Sequence, residues 1–402
     1  MGKYNRVAIT GIGAAANNGI GKDIFLRNCI GGVSGIRQCT VFSTEKLSTE
    51  LFGEIPGDLP GCTVIPTSES RIKAIMRMAV DEMMRDGGFD RAMIENYGAD
   101  AWLCFGTLLA NMDGIMEYAD KSETEGNPPG YLEHVNDYLP WLREHCGVQG
   151  GSWVNSAACA AGTTAAGMAF DFIKNGLCKI CIVGGADSLT PSVAYGFHSL
   201  KSLSAGICNP YDETRDGINI GEGAAFFIFE EMEAAKTRNA RIYGEIAGYG
   251  LANDAHHATS PDPEGHGLLF AMNEALRESG IDAAEVRHIN GHGTGTTLND
   301  QMEIGAINKL FAESGNIPTV TSTKAIIGHC MGGSGALELA AELLALENQV
   351  YLPLPNLKSP IESVKQGMFD TNSKKRPAEY ILSNSLAFAG NIASLVIRRY
   401  DA

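Results

Sequence analysis

A chain of 402 residues, 44% hydrophobic and 19% charged, is long enough for two or three units, or for two halves fused into one body, and its composition excludes a disordered or fibrous protein. Its net charge of -16 excludes general binding to nucleic acid or to an anionic membrane, because both need a cationic surface that releases counterions. An acidic partner would need a local basic patch.

In chain order, residues 6–12 form a short apolar run closed by Gly11 and Gly13, a buried strand running into a turn. Lys3 and Arg6 ahead of it resemble the start of a signal peptide, but the two glycines favour the strand, and no cleavage is expected. From Arg71 the apolar residues Ile72, Ile75, Met76, Ala79, Val80, Met83 and Met84 recur at three-to-four spacing, an amphipathic helix whose exposed face carries Arg71, Lys73 and Arg77. The Gly- and Pro-containing stretch 121–140 reads as an inserted surface loop.

Residues 152–158 predict a strand, and 159–174 a helix whose first turns are almost all Ala, Gly and Thr, small enough to press against another backbone. Strands follow at 180–185, 224–229 and 287–290. A second strand-to-helix passage runs from 318 into 335–347, again rich in small residues, and Glu338 and Glu342 interrupt this apolar stretch and exclude a membrane span. Two last strands, 381–388 and 392–399, are joined by a tight turn. Strands alternating with helices imply an α/β body with buried helices, and one small-residue helix in each half points to an internal duplication. Ten irregularly spaced cysteines indicate reduced thiols in the cytoplasm. Cys178 and Cys181 lie in a strand with no second pair nearby, so no metal site is expected.

Cys159 opens a helix just after a strand, where the helix dipole and free backbone N–H groups favour a thiolate. A buried inert thiol is the other reading of that position. His292 and His329 each follow a strand within a glycine-rich loop, NGHGTGTTLND and STKAIIGHCMGG, where a ligand can approach closely. Lys324 lies in the second of these loops.

Together these motifs resemble the elongating β-ketoacyl-acyl carrier protein synthases of the thiolase superfamily. The resemblance covers nearly the whole chain: RVAITGIG, NSAACAAGT, NPYDETRDGINIGEGAA, NDAHHATSPDPEG, HGTGTTLND, STKAIIGH and SNSLAFAGN. It implies a thiolase-like α/β fold of two duplicated halves, 1–240 with Cys159 and 241–402 with the histidines, layered α-β-α-β-α. It also implies that Cys159 holds an acyl group, with its own N–H and that of the gating Phe388 as oxyanion hole. His292 and His329 would stabilise the enolate left by decarboxylation of a malonyl thioester, supported by Lys324 and Glu338. Thr259, Thr294 and Thr296 would hold the phosphopantetheine arm, and Arg71, Lys73 and Lys201 would meet an acidic acyl carrier protein. The resemblance implies no cofactor beyond that arm, and a homodimer or a heterodimer with a homologous subunit.

Two departures bear on the acyl group. Ile392 stands where the family has an asparagine, and GTLLANMDG from Gly106 replaces a glycine-rich loop. Such drift suits a specialised ketosynthase, such as one for polyenes. A non-catalytic chain-length factor would lack the nucleophile, and a thiolase would need a second catalytic cysteine after Cys330, the last in the chain. A dinucleotide-binding reading fails because GIGAAANNG lacks the third glycine of the fingerprint.

Overall fold

The computed structural model describes residues 4–55, 70–109 and 138–401. Five strands build the first half: β1 (Val7–Ala16), β2 (Ala101–Gly106), β3 (Ser152–Asn155), β4 (Ile180–Asp187) and β5 (Gly223–Glu231). Their order is β3-β2-β4-β5-β1, with β2 parallel to β3 and β4, and β5 antiparallel to β4 and β1. The second half uses β6 (Gly244–Asn253), β7 (Val286–Asn290), β8 (Thr319–Thr321), β9 (Tyr380–Leu386) and β10 (Asn391–Arg399). Its order is β8-β7-β9-β10-β6, with the same pattern of parallel and antiparallel neighbours. The sequence-inferred duplication is therefore visible as one topology built twice. The two first strands meet antiparallel, Val7 opposite Ile246 and Ile9 opposite Gly244.

Helices form three layers. On the outer face of the first sheet α1 (Arg71–Gly87) packs against β1 and β5, and on the outer face of the second α3 (His266–Ser279), with α4 (Thr297–Leu310) beside it, packs against β6 and β10. Between the sheets lie α2 (Ala161–Lys174) and α5 (Ser334–Glu347), each touching strands of both halves. This is the layered α-β-α-β-α arrangement. Every residue of α5 from Ser334 to Leu346 is buried, which explains why its sequence carries no amphipathic stripe. The central helices can cross closely because of their small residues: a Cβ on Gly162 would lie 2.7 Å from the Ala336 nitrogen, and one on Gly335 2.7 Å from the Thr163 nitrogen. β4 is buried along its whole length, as a strand covered on both faces must be.

The strand expected at 152–158 stops at Asn155, because the chain turns there to present Cys159. A short helix, Lys324–Ile327, stands before His329. Most of the stretch 121–140 lies outside the described residues, and Tyr138–Cys146 is helical. No helix among the described residues is long and apolar enough to cross a membrane.

Candidate active site

Two equivalent elbows join strand to central helix. In the first half a single 3₁₀ turn, Ala158–Ala160, leads into α2, with Ala158 at φ 49°. In the second half Met331–Gly333 leads into α5, with Met331 also at φ 49°. A non-glycine residue in this region stores about 1–3 kcal/mol of strain, so the surrounding structure must enforce it. Asn155 does so at the first elbow: its side chain accepts from the Ala157 N–H at 3.1 Å and donates to the Ala161 carbonyl at 3.1 Å.

Cys159 is 5% exposed, and burial pushes its thiol up to about 12, against the opposing pull of the Lys324 charge. Desolvation thus opposes the thiolate that the position before the helix favours.

His292 sits just beyond β7 on a loop pinned by two buried carboxylates of α4. Glu303 accepts from the His292 and Gly293 N–H groups at 2.7 and 2.9 Å and from the Tyr211 hydroxyl at 2.9 Å. Asp300 accepts from the Tyr211, Thr294 and Gly295 N–H groups. Burial raises Glu303 to about 7. His329 follows the short helix, its N–H bonded to the Asn219 carbonyl at 2.7 Å.

The two imidazoles meet edge to face, their centroids 5.3 Å apart. Lys324 is 1% exposed, with its Nζ 2.6 Å from Glu338 Oε1 and 3.3 Å from His292 Nδ1. An ammonium has only donors, so His292 Nδ1 must accept and its proton sits on Nε2. His329 Nδ1 lies 2.8 Å from the Ser334 hydroxyl, which gives the same tautomer when that hydroxyl donates. Burial, reinforced by the Lys324 charge, holds both rings well below the usual histidine range. The result is a pair of neutral imidazoles, each with an Nε2–H free to stabilise a developing oxyanion.

One cavity of about 300 Å³ is lined by Cys159, His292, His329 and Phe388 together with Thr259, Thr294 and Thr296. The Thr294 and Thr296 hydroxyls bond each other at 2.8 Å. Phe197, Leu200, Ile218, Leu386 and Ile392 supply its apolar wall. The Phe388 ring stacks on Phe197, centroids 5.6 Å apart, and the next residue, Ala389, adopts φ 61° and donates to the Ala258 carbonyl. Glu338 lies behind this cavity, on Lys324, and the Asn290 amide donates to its other oxygen at 3.4 Å.

The proposed carrier-protein residues divide. Lys201 is exposed, between Leu200 and Ser202 of the cavity lining. Arg71 is not a free surface cation, since its guanidinium grips the fully buried Glu222, Nε to Oε2 at 2.8 Å. Lys73 is half-buried with Nζ over the Trp141 ring. The α1 face expected to be exposed is therefore half-covered, whereas Lys201 is exposed. Residues 110–114 of the GTLLANMDG stretch lie outside the described residues.

Several residues around the site escaped sequence reasoning: Asp187, Tyr211, Asn290, Asp300, Glu303 and Ser334. Asp300 and Glu303 left a signal, two acids three apart on a helix that opens directly after the His292 loop. The partners of Asp187, Tyr211 and Asn290 come from distant segments, whereas Ser334 stands five residues after its partner His329.

The chain matches the family models described as Beta-ketoacyl synthase, N-terminal domain, over residues 4–235 and Beta-ketoacyl synthase, C-terminal domain, over residues 243–358. It is 31% identical to 3-oxoacyl-[acyl-carrier-protein] synthase 2 of Rhizobium meliloti (strain 1021), over 98% of this chain and 99% of that one. The protein of the same description from Staphylococcus aureus (strain COL) is 30% identical over the full length of both. Among solved structures, a chain of the ishigamide ketosynthase/chain length factor superposes with a TM-score of 0.90 at 28% identity, covering 99% of this chain and all of that one. The ketosynthase ApeO in complex with its chain length factor ApeC from Xenorhabdus doucetiae gives 0.85 at 27% identity, with 98% of each chain covered.

Proposed function

This chain belongs to the β-ketoacyl synthase family, and we propose that it is a 3-oxoacyl-acyl carrier protein synthase, extending an acyl group by decarboxylative condensation. The observation that carries this reading is the pair of buried imidazoles, held well below the usual histidine range, in one cavity with Cys159. A non-catalytic subunit has no use for a buried lysine that holds one tautomer.

In the first step Cys159 Sγ attacks the thioester carbonyl of the acyl carrier, a new thioester forms, and the cysteine proton leaves with the carrier thiol. The N–H groups of Cys159 and Phe388 are assigned to the oxyanion. In the second, a malonyl thioester places its carbonyl oxygen on the His292 and His329 Nε2–H donors. Carbon dioxide leaves, the electron pair of the broken C–C bond becomes an enolate held by those donors, and its carbon attacks the acyl-cysteine. Collapse releases 3-oxoacyl carrier and returns Cys159, which regains a proton from solvent. Neutral rings are required here, because an imidazolium would protonate the enolate before it could form the bond.

Thr259, Thr294 and Thr296 are assigned to the phosphopantetheine arm and Lys201 to the acidic carrier. The reaction is assigned wholly to side chains of this chain and the carrier's arm, with no further cofactor. A homodimer, or a heterodimer with a homologous chain-length factor, is the proposed assembly, in line with solved relatives that are ketosynthases with a chain length factor. The cytoplasm is the proposed compartment, supported by the nine described cysteines, all buried free thiols. The apolar wall with its stacked Phe197 and Phe388 favours a flat unsaturated or plain fatty acyl chain over a polar one.

The test mixes the protein with a panel of acyl carrier thioesters and follows intact mass, with Cys159→Ala alongside, before malonyl carrier is added. A Cys159-dependent acyl adduct that yields a 3-oxo product is expected. No adduct with any acyl group, even beside a partner subunit, would overturn the reading.

A further inference from the structure

Asp187 ends β4 with no exposed surface, and the chemistry above does not use it. Its carboxylate is fully engaged: Oδ1 accepts from the Thr107 hydroxyl at 2.7 Å and the Leu109 N–H at 2.9 Å, and Oδ2 from the Leu108 N–H at 2.9 Å and the Gly332 N–H at 2.6 Å. Those donors belong to two separate structures. Thr107, Leu108 and Leu109 continue from the end of β2, whereas Gly332 occupies in the second elbow the place that Cys159 occupies in the first. The β2 loop also touches the nucleophile's own approach, since Ser156 donates to the Leu108 carbonyl and Thr107 N–H to the Asn155 carbonyl. Leu108 and Leu109 pack in one apolar cluster with Phe197 and Ile218, both of which line the catalytic cavity.

A buried carboxylate this close to Cys159 works against a thiolate, and its charge is among the influences that raise that thiol. Its place is therefore not explained by activation. We propose that Asp187 is a positioning residue that sets acyl-chain preference, clamping the Thr107–Leu109 loop against Phe197 and Ile218 so that the acyl group on Cys159 meets a fixed wall. This rests on the condensing-enzyme reading above. The imidazoles that receive the enolate have side-chain partners of their own, Lys324 and Ser334, and Asp187 reaches that side only through the Gly332 N–H.

The experiment uses the full chain and compares wild type with Asp187→Asn, Asp187→Glu and Thr107→Val. Self-acylation is timed with saturated acyl carrier thioesters of increasing length, and malonyl carrier decarboxylation is timed separately. An asparagine turns an NH₂ toward N–H donors and loses two of the four acceptor places. Asp187→Asn is expected to raise KM for the preferred acyl donor about tenfold, the loss of hydrogen bonds to a charged acceptor, and to flatten the length preference. Malonyl decarboxylation should stay within about threefold. Thr107→Val, which removes one bond of four, should move the preference the same way by a smaller factor, and it decides the matter if Asp187→Asn does not fold. Asp187→Glu should keep the loop bonded but displaced, shifting the preferred length without flattening it. Equal losses at every length and in decarboxylation, or folded variants with wild-type preferences, would overturn the proposal. Absence of acylation in the wild type would instead indict the parent reading.

Discussion

Replacing Lys324 by methionine keeps an unbranched stem of similar length and removes only the ammonium. In the native protein Lys324 and Glu338 are each 1% exposed and 2.6 Å apart. Deleting one partner of such a pair leaves a buried carboxylate uncompensated, at a cost of about 3–5 kcal/mol. A second loss is chemical. Lys324 is the donor that assigns His292 Nδ1 as acceptor, and without it the ring is free to carry its proton on Nδ1, turning a lone pair toward the enolate. Loss of one oxyanion donor typically costs about 10²–10³ in rate. Denaturant unfolding and malonyl carrier decarboxylation, read on Lys324→Met and on Lys324→Met/Glu338→Gln, separate the two effects. The double variant removes both charges of the pair and should recover part of the lost stability, but none of the lost rate. Decarboxylation within about threefold of wild type in Lys324→Met, or a double variant no more stable than the single, would refute this account.

Cys159→Ala should abolish the acyl adduct seen by intact mass while leaving malonyl decarboxylation in place, because the donors to the enolate are His292 and His329 and not the thiol. Gly335→Ala would put a Cβ 2.0 Å from the Thr163 hydroxyl and 2.7 Å from the Thr163 nitrogen; overpacking of this kind costs about 1–3 kcal/mol or more, and a thermal melt should show it together with lost acylation, since α2 carries Cys159 at its start. His292 and His329 are held neutral in the folded protein, whereas the unfolded chain protonates both below about pH 6.5. Their contribution is therefore present above that pH and lost as pH falls, by about 1.4 kcal/mol per pH unit per ring once titration is complete. Glu303 and Asp187, raised to about 7 and about 6, act in the opposite sense because the folded state holds their protons more tightly. The comparison that isolates the histidines is urea unfolding of wild type and His292→Asn/His329→Asn between pH 7.5 and about 5, in which wild type should lose stability faster; parallel curves would refute it.

Sequence reasoning located most of the strands, though not β2 or β6, both small-residue helices, and Cys159, His292 and His329 in the cavity, because each is marked locally: apolar runs for buried strands, Ala and Gly where helices cross, glycines around a reactive side chain. What it misjudged depends on burial. The position of Cys159 before a helix argues for a thiolate, and only the packed environment reveals the desolvation that opposes it. Arg71 looks like surface charge in a helical pattern, yet its partner Glu222 is 151 residues further on. Asp187 escaped for the same reason, since the loop N–H groups it binds lie 78 to 145 residues away along the chain.

The duplicated topology explains why the chemistry divides as it does. Each half delivers the same parts to the same place: the ends of its second and third strands, and an elbow before its central helix. In the second half the β7 and β8 ends carry His292 and, after Lys324, His329, while the elbow residue is Gly332. In the first half the elbow carries Cys159, while the β2 end carries the Thr107–Leu109 loop. The halves have exchanged roles: one keeps a nucleophile and a wall for the acyl chain, the other keeps donors for the enolate. Gly332 could not be a bulkier residue, because a Cβ there would sit 2.5 Å from the Leu108 nitrogen and 2.8 Å from Asp187 Oδ2. A second nucleophile at the second elbow is thus excluded by the loop that shapes the first site, and the pseudo-symmetric scaffold supports one asymmetric reaction.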